Sequence, residues 1–196
     1  MKRSLPTVPG NRAGRQHAGR DRHVHWGAER AHAAEREELE RPVIAVAHVG
    51  QSAAAARLAV QLCAAFVREA VPVGGLITVD SGAAAPEAQA AQAAMLEAGA
   101  REAVLVRKPE TDARAALAHA LDQLPATEWV VALGNALPQL YHPYFTVVVT
   151  GARRTLTAVE PLVLLAELEV SAPGDELATL LARRLHVQWD ERAAAT

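Results

Sequence analysis

The residues of this chain that could do chemistry stand where apolar runs stop. The first group is Gly50-Gln51-Ser52, which joins the apolar run Val43-Ile44-Ala45-Val46-Ala47 to a helix-forming run from Ala53 to Ala70. In nucleotide-binding α/β proteins such a junction holds phosphates. Backbone N–H groups at the helix start face the anion, glycines let the backbone approach it, and a Lys followed by Ser or Thr serves the terminal phosphates and magnesium. Set against the pattern G-x-x-x-x-G-K-[ST], a register beginning at Gly50 places Ala55, Ala56 and Arg57 at the last three positions. One residue earlier, Val49 stands first and Ala54, Ala55 and Ala56 stand last. Neither register supplies the second glycine, the lysine or the hydroxyl. Arg57 is the cation near this junction. An arginine can grip phosphate bidentately, but its rigid fork does not replace a lysine reaching over the loop, and a plain surface charge is the other reading.

Two further groups lie at the ends of later apolar runs. Asp80-Ser81-Gly82 follows Val73 to Val79, and Gly134-Asn135 follows Glu128 to Leu133. The carboxyl end of a parallel strand is where α/β proteins place ligand contacts, which makes Asp80 a candidate functional carboxylate. The alternative is that Asp80 and Ser81 begin a turn and cap the next helix. Arg107-Lys108 and Arg153-Arg154 add cations at strand ends, to meet an anion or simply to be solvated. Ser52, His48, His119, His142 and Asp80 form a triad only on paper, because no G-x-S-x-G elbow supports one. His48 reads as a hydrogen-bonded wall of the cleft. Tyr141-His142-Pro143-Tyr144 reads as a partner-docking loop.

The elements that must position these groups alternate. Strands are expected at 43–47, 73–79, 103–106, 128–133 and 144–149, with a sixth candidate at Pro161-Leu162-Val163-Leu164-Leu165. The first two are continuous apolar runs with β-branched residues, the pattern of strands buried on both faces. Helices are expected from Ala53, from Pro86 to Ala98 with Met95 and Leu96 inward and Gly99 as C-cap, from a cap at Thr111 or Asp112 to Leu124, and over 176–185. Ala136 to Pro143 reads as a short apolar segment broken by prolines. Strands and helices in this alternation predict an α/β fold, a doubly wound, mostly parallel sheet of about six strands with helices on both faces. Residues 1–40 are expected to form a basic tail, disordered over 1–27 and ending in a solvated helix over 28–40. Residues 41–188 then form the domain and 189–196 fray, with the loss of order beginning near 186.

Composition narrows the classes. The chain has 196 residues, a net charge of −2 and 51% hydrophobic residues, which excludes a polybasic nucleic-acid protein and an acidic disordered chain. Few aromatics argue against base-stacking recognition of nucleic acid, so no specific nucleic-acid partner is expected. No apolar run reaches about 18 residues and no secretory signal opens the chain, so no membrane partner is expected and the default location is cytoplasmic. Cys63 is the single cysteine, which excludes an internal disulfide. Its helical neighbours Val60, Ala64 and Val67 mark it as a small core residue and not a reactive thiol. His23-Val24-His25 lacks Cys or acidic ligands at fixed spacing and indicates a His/Arg-rich tail, not a metal site.

Taken together, VIAVAHVGQSAAAARL, VPVGGLITVD, AAMLEAGAREAVLV and WVVALGN followed by FTVVV resemble the P-loop GTPase-like proteins of molybdenum-cofactor biosynthesis, the MobB type (molybdopterin-guanine dinucleotide biosynthesis adaptor). The resemblance spans about residues 42–186. It implies a P-loop NTPase-like fold, GTP as ligand, and a molybdenum-cofactor biosynthesis protein as partner. The departures are specific. That family's strand corresponding to WVVALGN usually ends in Glu-Gly, with the acid near magnesium, whereas here Leu133 precedes Gly134. Where guanine-selecting members read Asn-Lys-x-Asp, this chain has Ala166-Glu167-Leu168-Glu169. Without the phosphate cation, the magnesium hydroxyl and this acid, ordinary phosphoryl transfer is not expected.

The expectation is therefore a non-hydrolysing accessory protein with a degenerate P-loop, binding nucleotide weakly without productive magnesium through Gly50, Gln51, Ser52, Arg57, Asp80, Gly134 and Asn135. No catalytic residue and no metal ligand is assigned. The alternatives are an enzyme or GTP-binding protein with a non-standard site around Asp80, Gly134-Asn135 and Arg153-Arg154, or a structural or regulatory partner, including a homo-oligomer. The alanine run 53–56 predicts regular helix from Ser52 onward, with Ser52 as its cap.

Overall fold

A computed structural model of the chain describes residues 36–79, 85–107, 112–125, 128–151 and 166–195. Along the chain lie β1 (Glu37–Glu38), β2 (Val43–Val49), α1 (Ser52–Arg68), β3 (Val73–Val79), α2 (Ala85–Glu97), β4 (Ala103–Arg107) and α3 (Ala113–Gln123). They are followed by β5 (Trp129–Leu133), α4 (Ala136–Leu140), β6 (Tyr141–His142), β7 (Phe145–Thr150), β8 (Leu168–Val170) and α5 (Asp175–Ala194). Six strands form one sheet in the order β4-β3-β5-β2-β7-β8, and every neighbouring pair is parallel. This is the α/β fold expected, with helices on both faces.

The period-2 geometry of β2 explains the two layers. Ile44 and Val46 enter one core with Leu58, Leu62 and Phe66 of α1, Met95 of α2 and Leu181 and Leu185 of α5. Val43 and Ala45 enter the other with Leu117 and Leu121 of α3 and Leu137 of α4. A strand covered on both faces needs apolar side chains in both directions, hence the continuous run. Gly99 ends α2 with φ +97°, the left-handed C-terminal conformation expected of it. Asp112 caps α3, its carboxylate accepting the Ala115 N–H at 2.9 Å. At the other end of α3, Arg41 donates to the carbonyls of Leu121 at 2.6 Å and Leu124 at 3.1 Å, and burial lowers the pKa of this guanidinium. Glu128, 2% exposed, is paired with Arg101 at 2.8 Å at the amino edge of the sheet.

Several expectations change. Glu37 and Glu38 are not helical but pair in parallel with Tyr141 and His142, since Pro42 disfavours helix just before it and β6 offers an open edge. The sixth strand of the sheet is β8, beyond the run 161–165, which lies outside the described residues. In β8, Leu168 and Val170 pack on the core while the carboxylate of Glu169 accepts the Thr150 hydroxyl at 3.0 Å, an alternation that suits an edge strand. Leu96 is 44% exposed, so of the α2 pair only Met95 faces inward. The segment after Asn135 forms the short helix α4 and the bridge β6 in place of a broken loop.

Helix α5 continues to Ala194 and does not fray after Leu185. Trp189 anchors it: Trp129 stacks on Phe66 with ring centroids 4.9 Å apart, and Tyr144 and Trp189 meet each other edge-on at 5.1 Å beside it. Such aromatic pairs add about 1 kcal/mol each beyond their area. Tyr144 is thus a core contact and not a docking residue. Tyr141 is buried, its hydroxyl donating to the Arg114 carbonyl at 3.1 Å, and that burial raises its pKa. The tail over 1–27, the helix expected over 28–35 and His23-Val24-His25 lie outside the described residues.

Candidate functional site

A cleft of about 880 Å³ opens at the carboxyl edge of the sheet. One wall is the first half of α1, from Ser52 to Gln61, and the other is α2 from Glu87 to Ala94. Ile77, Thr78 and Val79 of β3, Leu133 at the end of β5 and Gly134 and Asn135 after it form the floor, with His48 of β2 at one side. The facing helix positions are largely alanine: Ala53 and Ala56 on α1, and Ala88, Ala90, Ala91 and Ala94 on α2. Methyl groups do not fill the space between two helices, and that is the local reason a cleft exists. Its size falls in the range of small-molecule sites.

The loop entering α1 is open. Gly50 has φ +68°, and a Cβ built there would meet nothing within 4 Å. Gln51 occupies the N-cap position with no side-chain cap bond, while its carbonyl accepts the Ala55 N–H at 3.0 Å. Ser52 is not the cap that the sequence predicts. It is already the first helical residue, and a capping side chain must come from the non-helical residue before it. The helix from Ser52 onward is regular, as its alanines predict. Gln51 instead leans toward the end of β7, its Nε2 3.2 Å from where a Cβ on Gly151 would lie. Arg57 lines the cleft one turn later, exposed, and makes no hydrogen bond or ion pair with a described residue.

The exit of β5 is closed by contrast. Gly134 has φ +123°, and a Cβ there would fall 2.1 Å from Thr78 Oγ1 and 2.7 Å from the Thr78 carbonyl oxygen. Only glycine fits. Its N–H donates to the Val46 carbonyl at 3.0 Å. The Asn135 side chain accepts the His48 N–H at 2.9 Å and donates to the His48 carbonyl at 3.1 Å. Both halves of that amide serve the backbone, in the way a neighbouring strand residue would. The structure therefore brings Ser52, Arg57, Gly134 and Asn135 to one cleft, but engages the Asn135 amide within the protein. Asp80, Lys108, Arg153 and Arg154 lie outside the described residues.

Gln61 is the cleft residue that sequence reasoning missed. Its side chain lines the cleft, while its Oε1 is turned away from solvent and has no hydrogen-bond partner. Its place four residues after Arg57, on the same helical face, is the signal that could have found it. Deeper in α1, burial pushes the Cys63 thiol up to about 12, which makes it a core residue and not a nucleophile. Among the described residues, no three His, Cys, Asp or Glu side chains come together as metal ligands, and no helix is long and apolar enough to cross a membrane.

Compared with models of protein families, with curated proteins and with solved structures, the chain matches none. Fold and cleft define a parallel α/β protein consistent with a generic P-loop NTPase-like architecture. The resemblance to the MobB type gains no support from these comparisons.

Proposed function

We propose that the chain binds a phosphate-bearing small molecule, a nucleotide foremost, and holds it without hydrolysing it. The observation that carries this reading is Arg57: a guanidinium on the wall of a large cleft at the carboxyl edge of a parallel sheet, engaged by no described residue. Three features support it. The loop at Gly50 leaves open space above an α1 start that no side chain caps, and such a helix end favours an anion. The cleft lies where open α/β sheets bind ligands. An arginine is well suited to hold phosphate oxygens in pairs.

The hydrolytic parts are lacking in the sequence around this site. Alanine or arginine stands where the phosphate lysine and magnesium hydroxyl would be, and Leu133 stands where an acid would approach the metal. One such group is commonly worth a few kcal/mol of transition-state stabilisation, and here all three are missing. On this reading the loop is a degenerate P-loop and the protein an accessory factor. A place in molybdenum-cofactor biosynthesis follows from the sequence resemblance alone. Thermal unfolding with GTP, ATP and molybdopterin derivatives tests the binding half. A ligand at 100 times its dissociation constant stabilises the native state by about 2.7 kcal/mol, and no shift with any of them would overturn the reading.

A further inference from the structure

We infer that β4 pairs with β4 of a second copy of this chain, antiparallel and about a two-fold axis through Leu105, so that two six-stranded sheets become one. The two edges of the sheet, β4 and β8, are not alike. β8 has three residues, with the carboxylate of Glu169 in the middle. β4 has five, Ala103-Val104-Leu105-Val106-Arg107, without proline, glycine or a charge before Arg107. Natural edge strands are shortened, charged or interrupted by proline, because a free row of N–H and C=O groups recruits another strand. The first four residues of β4 carry none of these devices. Its pairing with β3 fixes which groups are free. Gly75 lies opposite Ala103, and its N–H donates to the Glu102 carbonyl at 2.8 Å. Alternate residues of a parallel strand turn both backbone groups to the same neighbour, so Val104 and Val106 face β3 while Ala103, Leu105 and Arg107 turn outward. The Ala103 carbonyl shows that direction, since the Gln92 side chain of α2 donates to it at 2.6 Å. Among the described residues, none takes up the outward backbone groups of Leu105.

The strand is its own complement. An antiparallel partner must set outward residues opposite outward residues, and a two-fold axis makes the contact isologous. With the axis at Leu105, Leu105 meets Leu105, Ala103 meets Arg107 and Val104 meets Val106, so no like charges face each other and the central pairs are aliphatic. An axis at Val104 would set Arg101 against Arg107 of the second copy, and one at Val106 would pair only Leu105 to Arg107 of the five strand residues. A five-residue strand pair buries less than the about 800 Å² per copy of a usual stable interface, so a flanking helix has to contribute. Helix α2 packs on both β3 and β4. Gln92 reaches from it to the open edge, and Leu96, one turn later on the same face, is 44% exposed. That leucine stands where α2 of the second copy arrives once the strands pair. Nothing in this pairing depends on a ligand in the cleft.

Sedimentation velocity of the full chain across micromolar concentrations tests this, and a mass of twice 20.8 kDa is expected. Ala103→Pro removes an outward N–H from each copy but leaves the bonds to β3 in place, so dimerisation should weaken about thirtyfold. Leu96→Glu changes an exposed position and should weaken it about tenfold, through lost apolar contact and carboxylates brought together. Leu105→Cys should cross-link to its copy on mild oxidation, because the two Cα atoms of such a pair lie about 5.5 Å apart, whereas Ala103→Cys should not. Circular dichroism checks the fold of each variant, and Leu96→Glu with the cross-link decides the matter should Ala103→Pro fail to fold. A chain that stays monomeric at every concentration would overturn the inference. So would a dimer that Leu96→Glu leaves intact and Leu105→Cys does not cross-link.

Discussion

The loops leaving β2 and β5 lie side by side at one edge of the sheet, and each turns on a glycine with positive φ. At Gly134 the glycine is a packing requirement: the backbone of β3 passes so close that a methyl group would overlap Thr78. Asn135 then ties the same exit to the backbone of His48 through both halves of its amide. At Gly50 the surroundings are empty, the following Gln51 and Ser52 make no side-chain cap, and Arg57 is engaged by no described residue. One exit is consumed in holding the sheet together, while the other keeps its groups available. Strand-end position alone therefore does not identify a ligand group. What distinguishes the two is whether the polar atoms there already have partners.

The contrast is sharpest in stability. Gly134→Ala combines a strained backbone with a clash against β3, and a loss of about 3 kcal/mol or more is expected in urea unfolding. A near-neutral result would mean the β5 exit is not the closed one. Asn135→Ala removes two hydrogen bonds and strands the His48 backbone groups, at about 2 kcal/mol. If its melting temperature matched that of the unaltered protein, the amide would be free to serve a ligand after all.

Gly50→Ala meets no neighbour and carries only the left-handed backbone cost, about 1 kcal/mol. Its loss should be well below that of Gly134→Ala in the same titration. Cys63 marks where the open start of α1 gives way to closed core. Its thiol is raised from an ordinary 9.0 to about 12 by burial. The folded chain keeps that proton while the unfolded chain sheds it, so the contribution is complete below about pH 9 and is lost as pH rises toward about 12. Between pH 8 and pH 10 the unaltered protein should lose about 1 kcal/mol more stability than Cys63→Ala does, and the native thiol should resist alkylation at pH 8.

Much of the fold was legible because strands buried on both faces have no choice of residue: Val43 to Ala47 and Val73 to Val79 announce themselves. Alanine after Gly50 likewise foretold regular helix. Elements fixed by distant partners were not legible. Glu37 and Glu38 become a strand only because Tyr141 and His142 present an edge, and α5 extends only because Trp189 has Trp129 and Tyr144 to meet. Edge strand β8 is half exposed, so its alternating Leu168-Glu169-Val170 carries a weaker signal than the apolar run before it. Of the cleft, Ser52, Arg57, Gly134 and Asn135 could be named from sequence as residues near strand ends. The walls could not, because they are largely alanines from two helices, a residue type that reads first as helix propensity.

The central claim is that the open exit at β2 holds an anionic ligand without turning it over. Titration of GTP into the unaltered protein and into Arg57→Ala, with phosphate release followed in parallel at saturating magnesium, tests it most directly. Binding to the unaltered chain is expected, with about tenfold weaker binding to the variant from the loss of a charged hydrogen bond, and no phosphate release above buffer from either. Magnesium-dependent release of phosphate that Arg57→Ala abolishes would contradict it, because Arg57 would then be doing the work of the absent lysine.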